Sequence, residues 1–318
     1  MAEEIPYRRK AEAEKGGKRN YFLYIMVIFL SLGFIFLMLF GLLALSKGAN
    51  VPFGKCVGVV EISGPITTEE APASLFSEGM AGSYDVARRI GKIDSRDDVG
   101  AVLFVVNSPG GSVVATNEIY RAVNGLEKPK VAYFREAAAS GAYYISTPAD
   151  YIISEPNALT GSIGVIMTAY EMEGLFSKIG VNEVSIASGE LKDMGTPFRN
   201  MTGEEKALLG EAVNETFEEF KSVVLEHRGG KINQTMFWEV TDGRVLTGRM
   251  ALSAGLVDAL GSREDALAKA AELGGIGYEG DVPVCAIDVS STEAGLFNAK
   301  GLLGGIGAQG GGYRLEYR

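Results

Sequence analysis

AVLFVVNSPGGSVVATNEIYRAVNGL, residues 101–126, sets the architecture of this chain. Its first six residues are all apolar, which suits a strand buried on both faces. Asn107–Ser112, NSPGGS, gathers Pro and Gly into one tight connection. From Val113 to Leu126 the apolar residues fall three and four apart, the period of an amphipathic helix. Strand, tight turn and helix in that order form the repeating unit of an α/β domain with a largely parallel sheet.

The same alternation runs outward in both directions. Besides Ala101–Val106, strands are expected at Val57–Ile62, Lys130–Phe134, Tyr151–Ser154 and Val184–Ala187, with a helix at Ser83–Ile93. Thr160–Thr168, TGSIGVIMT, is bent by glycine and reads as a short strand near the active site. The clearest helix is Gly203–Arg228, with Thr202 and Glu205 forming a capping box and Gly229 and Gly230 marking its end. Its Leu209, Val213, Phe217, Phe220 and Val224 line one face, to be spent on the core or on a subunit interface. TGRMALSAGLVDALGS and REDALAKAAELGG follow as a helix pair. The tail from Ala294 is rich in glycine, which disfavours an independent fold, and its closing YRLEYR alternates in a way that suits an edge strand.

Tyr21–Leu45 carries no charge over 25 residues. At about 1.5 Å per residue it exceeds the roughly 30 Å hydrocarbon core of a bilayer. Arg8, Arg9, Lys10, Lys15, Lys18 and Arg19 precede it, so the positive-inside rule keeps the N-terminus cytoplasmic and sends the rest across. A cleaved signal peptide is the competing reading, but its apolar region normally spans only about 7–15 residues. The expected organisation is a cytoplasmic segment 1–20, an anchor 21–45, a linker 46–55, a catalytic domain 56–273 and an extension 274–318. One span followed by a polar body excludes a multi-span transporter. A net charge of −10 without a basic stripe after the anchor excludes nucleic-acid binding. Cys56 and Cys285 have no metal-ligand spacing and read as two unpaired small apolar residues.

The chemistry is narrowed by scarcity: the chain has one histidine, His227, in the last turn of the long helix and without an acidic partner. A hydrolase here would take its base from lysine. A lysine serves as base only when neutral, a state that burial and a scarcity of carboxylates favour. Ser140, in AAASGAYYIS, stands where a helix begins after a strand, so its hydroxyl reads either as an N-cap or as a nucleophile with room beside it. Lys192, in SGELKDMGTPF, lies in an irregular loop fixed by Gly195 and Pro197. Gly110 and Gly111 let the backbone direct two N–H groups at one point, the geometry of an oxyanion hole, and read equally as a tight turn. The NSPGGS turn lacks the Lys and hydroxyl of a phosphate loop.

Five motifs in order, NSPGG, AASGxYY, TGSIGV, SGxxKDxGxPxR and GRxxTGxxAxxxGLVDxLG, closely resemble the signal peptide peptidase A family of membrane-bound serine proteases. The match runs from Cys56 to about Leu273 and suits the family's short, single-copy form. The resemblance implies a fold of the Clp protease and crotonase superfamily and a Ser-Lys dyad of Ser140 and Lys192. It also implies Ser162 orienting the lysine amine and the amides of Gly110 and Gly111 holding the oxyanion. It further implies a bowl-shaped homo-oligomer whose dyads join the serine of one subunit to the lysine of its neighbour. Substrates would be extended apolar peptides such as remnant signal peptides, with no metal or organic cofactor required. Ala142 departs from the glycine many relatives carry there and narrows backbone freedom beside Ser140.

Three other functions stay open on the residues. An acyl-CoA enzyme would share the glycine-amide hole, but an outward-facing domain would meet little coenzyme A. A non-catalytic membrane scaffold would retain only the oligomer. A related Ser-Lys protease could instead cleave a specific membrane-protein partner.

Overall fold

The computed structural model describes residues 21, 24–38, 54–69, 80–285 and 315–317. The chain divides into two units, 1–53 and 54–318. In the first, residues 24–38 are helical and their side chains exposed. Among the described residues no helix is long and apolar enough to cross a membrane. The remainder of the expected Tyr21–Leu45 span and most of its linker lie outside them.

The second unit is built on a parallel sheet ordered Cys56–Ser63, Val99–Ser108, Lys130–Ala139, Tyr151–Ser154, Ala259–Leu260. The quoted strand occupies its interior: Val59 pairs with Leu103 on one side, and Leu103 pairs with Val131 on the other. Successive side chains point to opposite faces, and each face has its own core. Val102, Phe104 and Val106 join Ile90, Ile119 and Phe134. Leu103 and Val105 join Val131, Ile153, Leu267 and Ala270. Helices Ser83–Asp94, Val113–Asn124 and Gly141–Ser146 cover the first face, and Arg263–Leu273 covers the second. That two-sided burial explains why residues 101–106 carry no polar alternation.

The carboxyl end of the sheet is elaborated. Beyond Phe134 the strand Lys130–Ala139 exchanges its partner, pairing Ala137–Ala139 with the strand Leu159–Gly161, which in turn pairs antiparallel with Val245–Thr247. A second sheet of five short strands runs in the order Ala81–Gly82, Ile66–Thr67, Gly111–Ser112, Leu315–Tyr317, Ile166–Met167. The glycine-bent stretch Thr160–Thr168 thus divides between two sheets.

Several expectations are corrected. Val184–Ala187 is no strand: Val184 and Ile186 are 85% and 98% exposed, and β-branched residues without an edge to join have no ladder to enter. The helix begun at Gly248 stops at Ala254, because Gly255 adopts φ 77° and an added Cβ there would lie 2.1 Å from the Lys231 carbonyl oxygen. Ala259–Leu260 then joins the sheet edge. Cys56 and Cys285 are not two free thiols but a disulfide, closing 229 residues of sequence. Cys285 also donates its N–H to the Val57 carbonyl at 2.9 Å, so this unit extends past the expected boundary at residue 273. The segment YRLEYR contributes an internal strand, Leu315–Tyr317, where an edge strand was expected. On the long helix, Phe220 and Val224 enter the core, whereas Leu209, Val213 and Phe217 are half-buried.

Candidate active site

Ser140 stands between the strand Lys130–Ala139 and the helix Gly141–Ser146, at the carboxyl end of parallel strands, where open α/β sheets place their ligands. Its backbone is held in an uncommon conformation, φ 54° and ψ −119°. The Ser140 N–H donates to the Gly161 carbonyl at 2.8 Å, and its own carbonyl accepts from the Tyr144 N–H at 2.9 Å. The hydroxyl is another matter: it caps no helical N–H, is fully buried, and has no hydrogen-bond partner among the described residues. A buried unpaired hydroxyl costs about 1–3 kcal/mol, and a non-glycine residue forced to positive φ costs a similar amount. The N-cap explanation of this serine therefore fails, and a strained, unpaired nucleophile position remains.

Two neighbouring loops frame it. Ser108 lies opposite Ala138 on the adjacent strand, so the chain turns at Gly110 on the same rim of the sheet as Ser140. Gly110 has φ 98°, accepts from the Ile66 N–H at 2.8 Å and donates its own N–H to the Ser108 hydroxyl at 3.1 Å. Gly111 is packed so closely on the Ile66–Thr67 strand that a Cβ would sit 2.1 Å from the Ile66 carbonyl oxygen. The helix Gly141–Ser146 contacts Gly111–Ser112. Its first-turn N–H groups, beginning with Gly141, have no acceptor within the helix. Ser162 leaves the neighbouring strand with φ 50°; it is 5% exposed and its hydroxyl donates to the Gly243 carbonyl at 3.3 Å. Ser140, Ser162 and the Gly110–Gly111 turn therefore share one rim.

Lys192 does not join them within this chain. It sits exposed on a turn closed by its N–H on the Gly189 carbonyl at 3.1 Å. That turn is firmly held by a residue the sequence reading passed over. Arg199 donates from Nε and Nη2 to the Asp193 carboxylate at 3.2 and 2.8 Å, and from Nη1 to Glu205 Oε2 at 2.9 Å. Glu205, whose side chain is 1% exposed, also accepts from the Thr202 N–H at 2.8 Å in the capping box the sequence predicts. Hydrogen bonds from Arg199 and then from Thr202 hold the Glu205 carboxyl down to about 2. The charge pattern Asp193, Arg199, Glu205 was the available signal. Phe176 stacks on Phe198 at 4.2 Å and brings the helix Glu173–Ile179 onto the same loop. Around Lys192 the surface is apolar, with Leu175, Ile179, Val184, Ile186 and Leu191 exposed.

The remaining candidates resolve into structure. His227 meets the Tyr120 hydroxyl at 2.8 Å, and burial lowers its pKa, as expected for a packed histidine outside the rim. Cys56, Asp98 and Cys285 lie close together, but both sulfurs are in the disulfide and neither is left as a metal ligand. A cavity of about 410 Å³ adjoins the rim, lined by Ile166, Met167, Leu209 and Val213. Another of about 600 Å³, between Tyr151 and Lys269, contains none of the candidate residues.

The peptidase family S49 profile matches residues 123–277, which include Ser140, Ser162 and Lys192. This chain belongs to peptidase family S49. Among S49-like relatives, a Methanocaldococcus jannaschii protein named as a protease is 42% identical over 214 residues, 67% of this chain and 65% of that protein. An Enterococcus faecium protein named as a signal peptide peptidase SppA is 34% identical over 226 residues, 70% of this chain and 64% of that one. The Salmonella typhi protein named Protease 4 is 34% identical over 224 residues, 69% of this chain and 35% of that one. The chain thus spans just under two thirds of the length of the first two of these S49 relatives.

Proposed function

We propose that this S49 chain is a serine endopeptidase in which Ser140 is the nucleophile and Lys192 of a neighbouring copy is the general base. The observation that carries this reading is the Ser140 hydroxyl, buried, unpartnered and held at positive φ on the rim beside the Gly110–Gly111 turn. Nothing structural is gained from a serine placed so. The exposed turn of Lys192, within an apolar surface, supports delivery of the lysine to a second subunit.

In this mechanism the Ser140 Oγ attacks the scissile carbonyl carbon while its proton passes to the neutral Lys192 amine. Backbone N–H groups of the Gly110–Gly111 turn and of the helix start at Gly141 stabilise the oxyanion, each such donor being worth about 3 kcal/mol. Since Ser108 already accepts from the Gly110 N–H, Gly111 and Gly141 are the better-placed donors. Lys192 returns the proton to the leaving amine, the C–N bond breaks, and water cleaves the Ser140 ester by the same proton route. Ser162 orients the lysine amine. No step calls on a metal or organic cofactor.

The fold is assigned to the Clp protease and crotonase type, as a bowl-shaped homo-oligomer. Tyr21–Leu45 is the single membrane anchor, with the catalytic unit outside the cytoplasm; the exposed apolar side chains of 24–38 and the disulfide support that placement. Substrates are extended, mainly apolar peptides near the membrane, remnant signal peptides foremost, and the apolar cavity lined by Ile166, Met167 and Leu209 suits them. Cleavage of a quenched apolar peptide, with Ser140→Ala and Lys192→Ala compared at matched oligomeric state, tests the proposal. Loss of turnover in both supports it; unchanged turnover in either removes that residue from the dyad.

A further inference from the structure

The strand Leu315–Tyr317 lies between Gly111–Ser112 and Ile166–Met167 and is antiparallel to both. Glu316 is the doubly paired residue, opposite Ser112 on one side and Ile166 on the other. Tyr317 faces Gly111, so the strand runs toward the Gly110 turn. Gly111–Ser112 has its other edge on Ile66, and Ile166–Met167 is the last strand of the sheet. Take Leu315–Tyr317 away and two unpaired edges face each other across two strand spacings, about 9.6 Å, which admits a single extended strand. Main-chain pairing of this kind accepts many sequences, since affinity comes from backbone groups and only selectivity from side chains.

One wall of this slot is the turn that carries the candidate oxyanion donors; the other, Ile166–Met167, continues from Ser162 and lines the apolar cavity. We propose that the slot is the site where an extended peptide docks, and that Leu315–Tyr317 is an internal competitor occupying it. The proposal rests on the protease reading for the identity of the docked peptide, but the occupancy itself is independent of catalysis. A segment tethered to the same chain competes at high effective concentration, so incoming peptides bind only the fraction of molecules whose slot is vacant.

Glu316→Pro in the full chain separates these claims. Proline removes the N–H of the doubly paired residue and leaves the rim residues untouched. A fluorescent peptide of residues 313–318, YRLEYR, is titrated by anisotropy into wild-type and Glu316→Pro protein matched for circular dichroism and oligomeric state. If the strand fills the slot about nine-tenths of the time, the variant binds the peptide about tenfold more tightly. A peptide carrying proline at the Glu316 position is expected not to bind. Equal binding of YRLEYR to both proteins, or binding to neither, overturns the proposal. Labelling of Ser140 by a fluorophosphonate probe in the same samples keeps the two readings apart. Labelling with equal peptide binding removes the competitor and leaves the protease; a tenfold difference without labelling leaves the slot and removes the nucleophile.

Discussion

Ser140 donates its backbone N–H to the Gly161 carbonyl at 2.8 Å, which locks the serine one residue beyond the paired Ala139 and Gly161 and beside Ser162. Both serines adopt positive φ, 54° and 50°, as the two strands leave the sheet together. A backbone fixed in this way leaves the Ser140 hydroxyl no local partner.

Replacing Ser140 by glycine relieves both the positive φ and the buried unpaired hydroxyl. We expect Ser140→Gly to be more stable than wild type by about 1–2 kcal/mol in denaturant unfolding while losing peptidase activity. A destabilised variant would show that the hydroxyl has a structural partner and weaken its assignment as nucleophile.

Arg199 holds the Lys192 turn through Asp193 and anchors it to the long helix through Glu205. Arg199→Met is expected to lower kcat by about tenfold or more by displacing the lysine, with Arg199→Lys recovering only part because it cannot make the paired bonds. The acid limb of stability tests the same contact. Glu205 titrates near 2 when folded, below the usual carboxylate value of about 4.3. Its contribution is therefore complete above about pH 4.3 and is lost as pH falls toward 2. Arg199→Met should flatten that part of the stability curve; an unchanged curve would contradict the coupling.

Arg228 and Asp258 form a buried pair behind the helix Gly141–Ser146, with Nη1–Oδ2 2.8 Å and Nη2–Oδ1 3.1 Å, and with exposures of 1% and 8%. Asp258 also accepts the Ile152 N–H at 2.8 Å and meets Lys231 at 2.7 Å. Burial pushes its carboxyl up, but the hydrogen bonds from Arg228 and Lys231 outweigh it and hold the group below its ordinary value. Arg228→Met leaves Asp258 with one exposed cation, and a loss of about 3–5 kcal/mol is expected on breaking such a pair. Calorimetric melting measures it, and a loss under 1 kcal/mol would show that Lys231 alone suffices.

The Cys56–Cys285 bridge ties residues 283–285 to the first strand of the sheet. Reduction, or Cys285→Ser, is expected to cost about 2–5 kcal/mol of stability. Identical melting of oxidised and reduced protein would show that the hydrogen bonds of Val57 alone hold this segment.

How far the sequence reveals the molecule depends on how local the cause is. Ala101–Val106, the NSPGGS turn and the Thr202–Glu205 capping box follow from adjacent residues and form as read. Val184–Ala187 has the composition of a strand but meets no edge, which only tertiary structure decides. Pairing of Cys56 with Cys285 across 229 residues, and insertion of Leu315–Tyr317 between two distant strands, are likewise non-local. At the site, spacing and resemblance place Ser140, Ser162 and the glycine turn on one rim. The Lys192 turn stays apart because its distance from Ser140 is not set within one chain.

Mixing Ser140→Ala protein with Lys192→Ala protein, after dissociation and reassembly, tests the shared dyad most directly. Each variant alone is expected to be inactive on a quenched apolar peptide. The mixed oligomer should regain activity, because interfaces that join an intact Ser140 to an intact Lys192 recur at about one in four in a random assembly. Full inactivity of the mixture, with assembly confirmed, would contradict a dyad built between neighbouring copies.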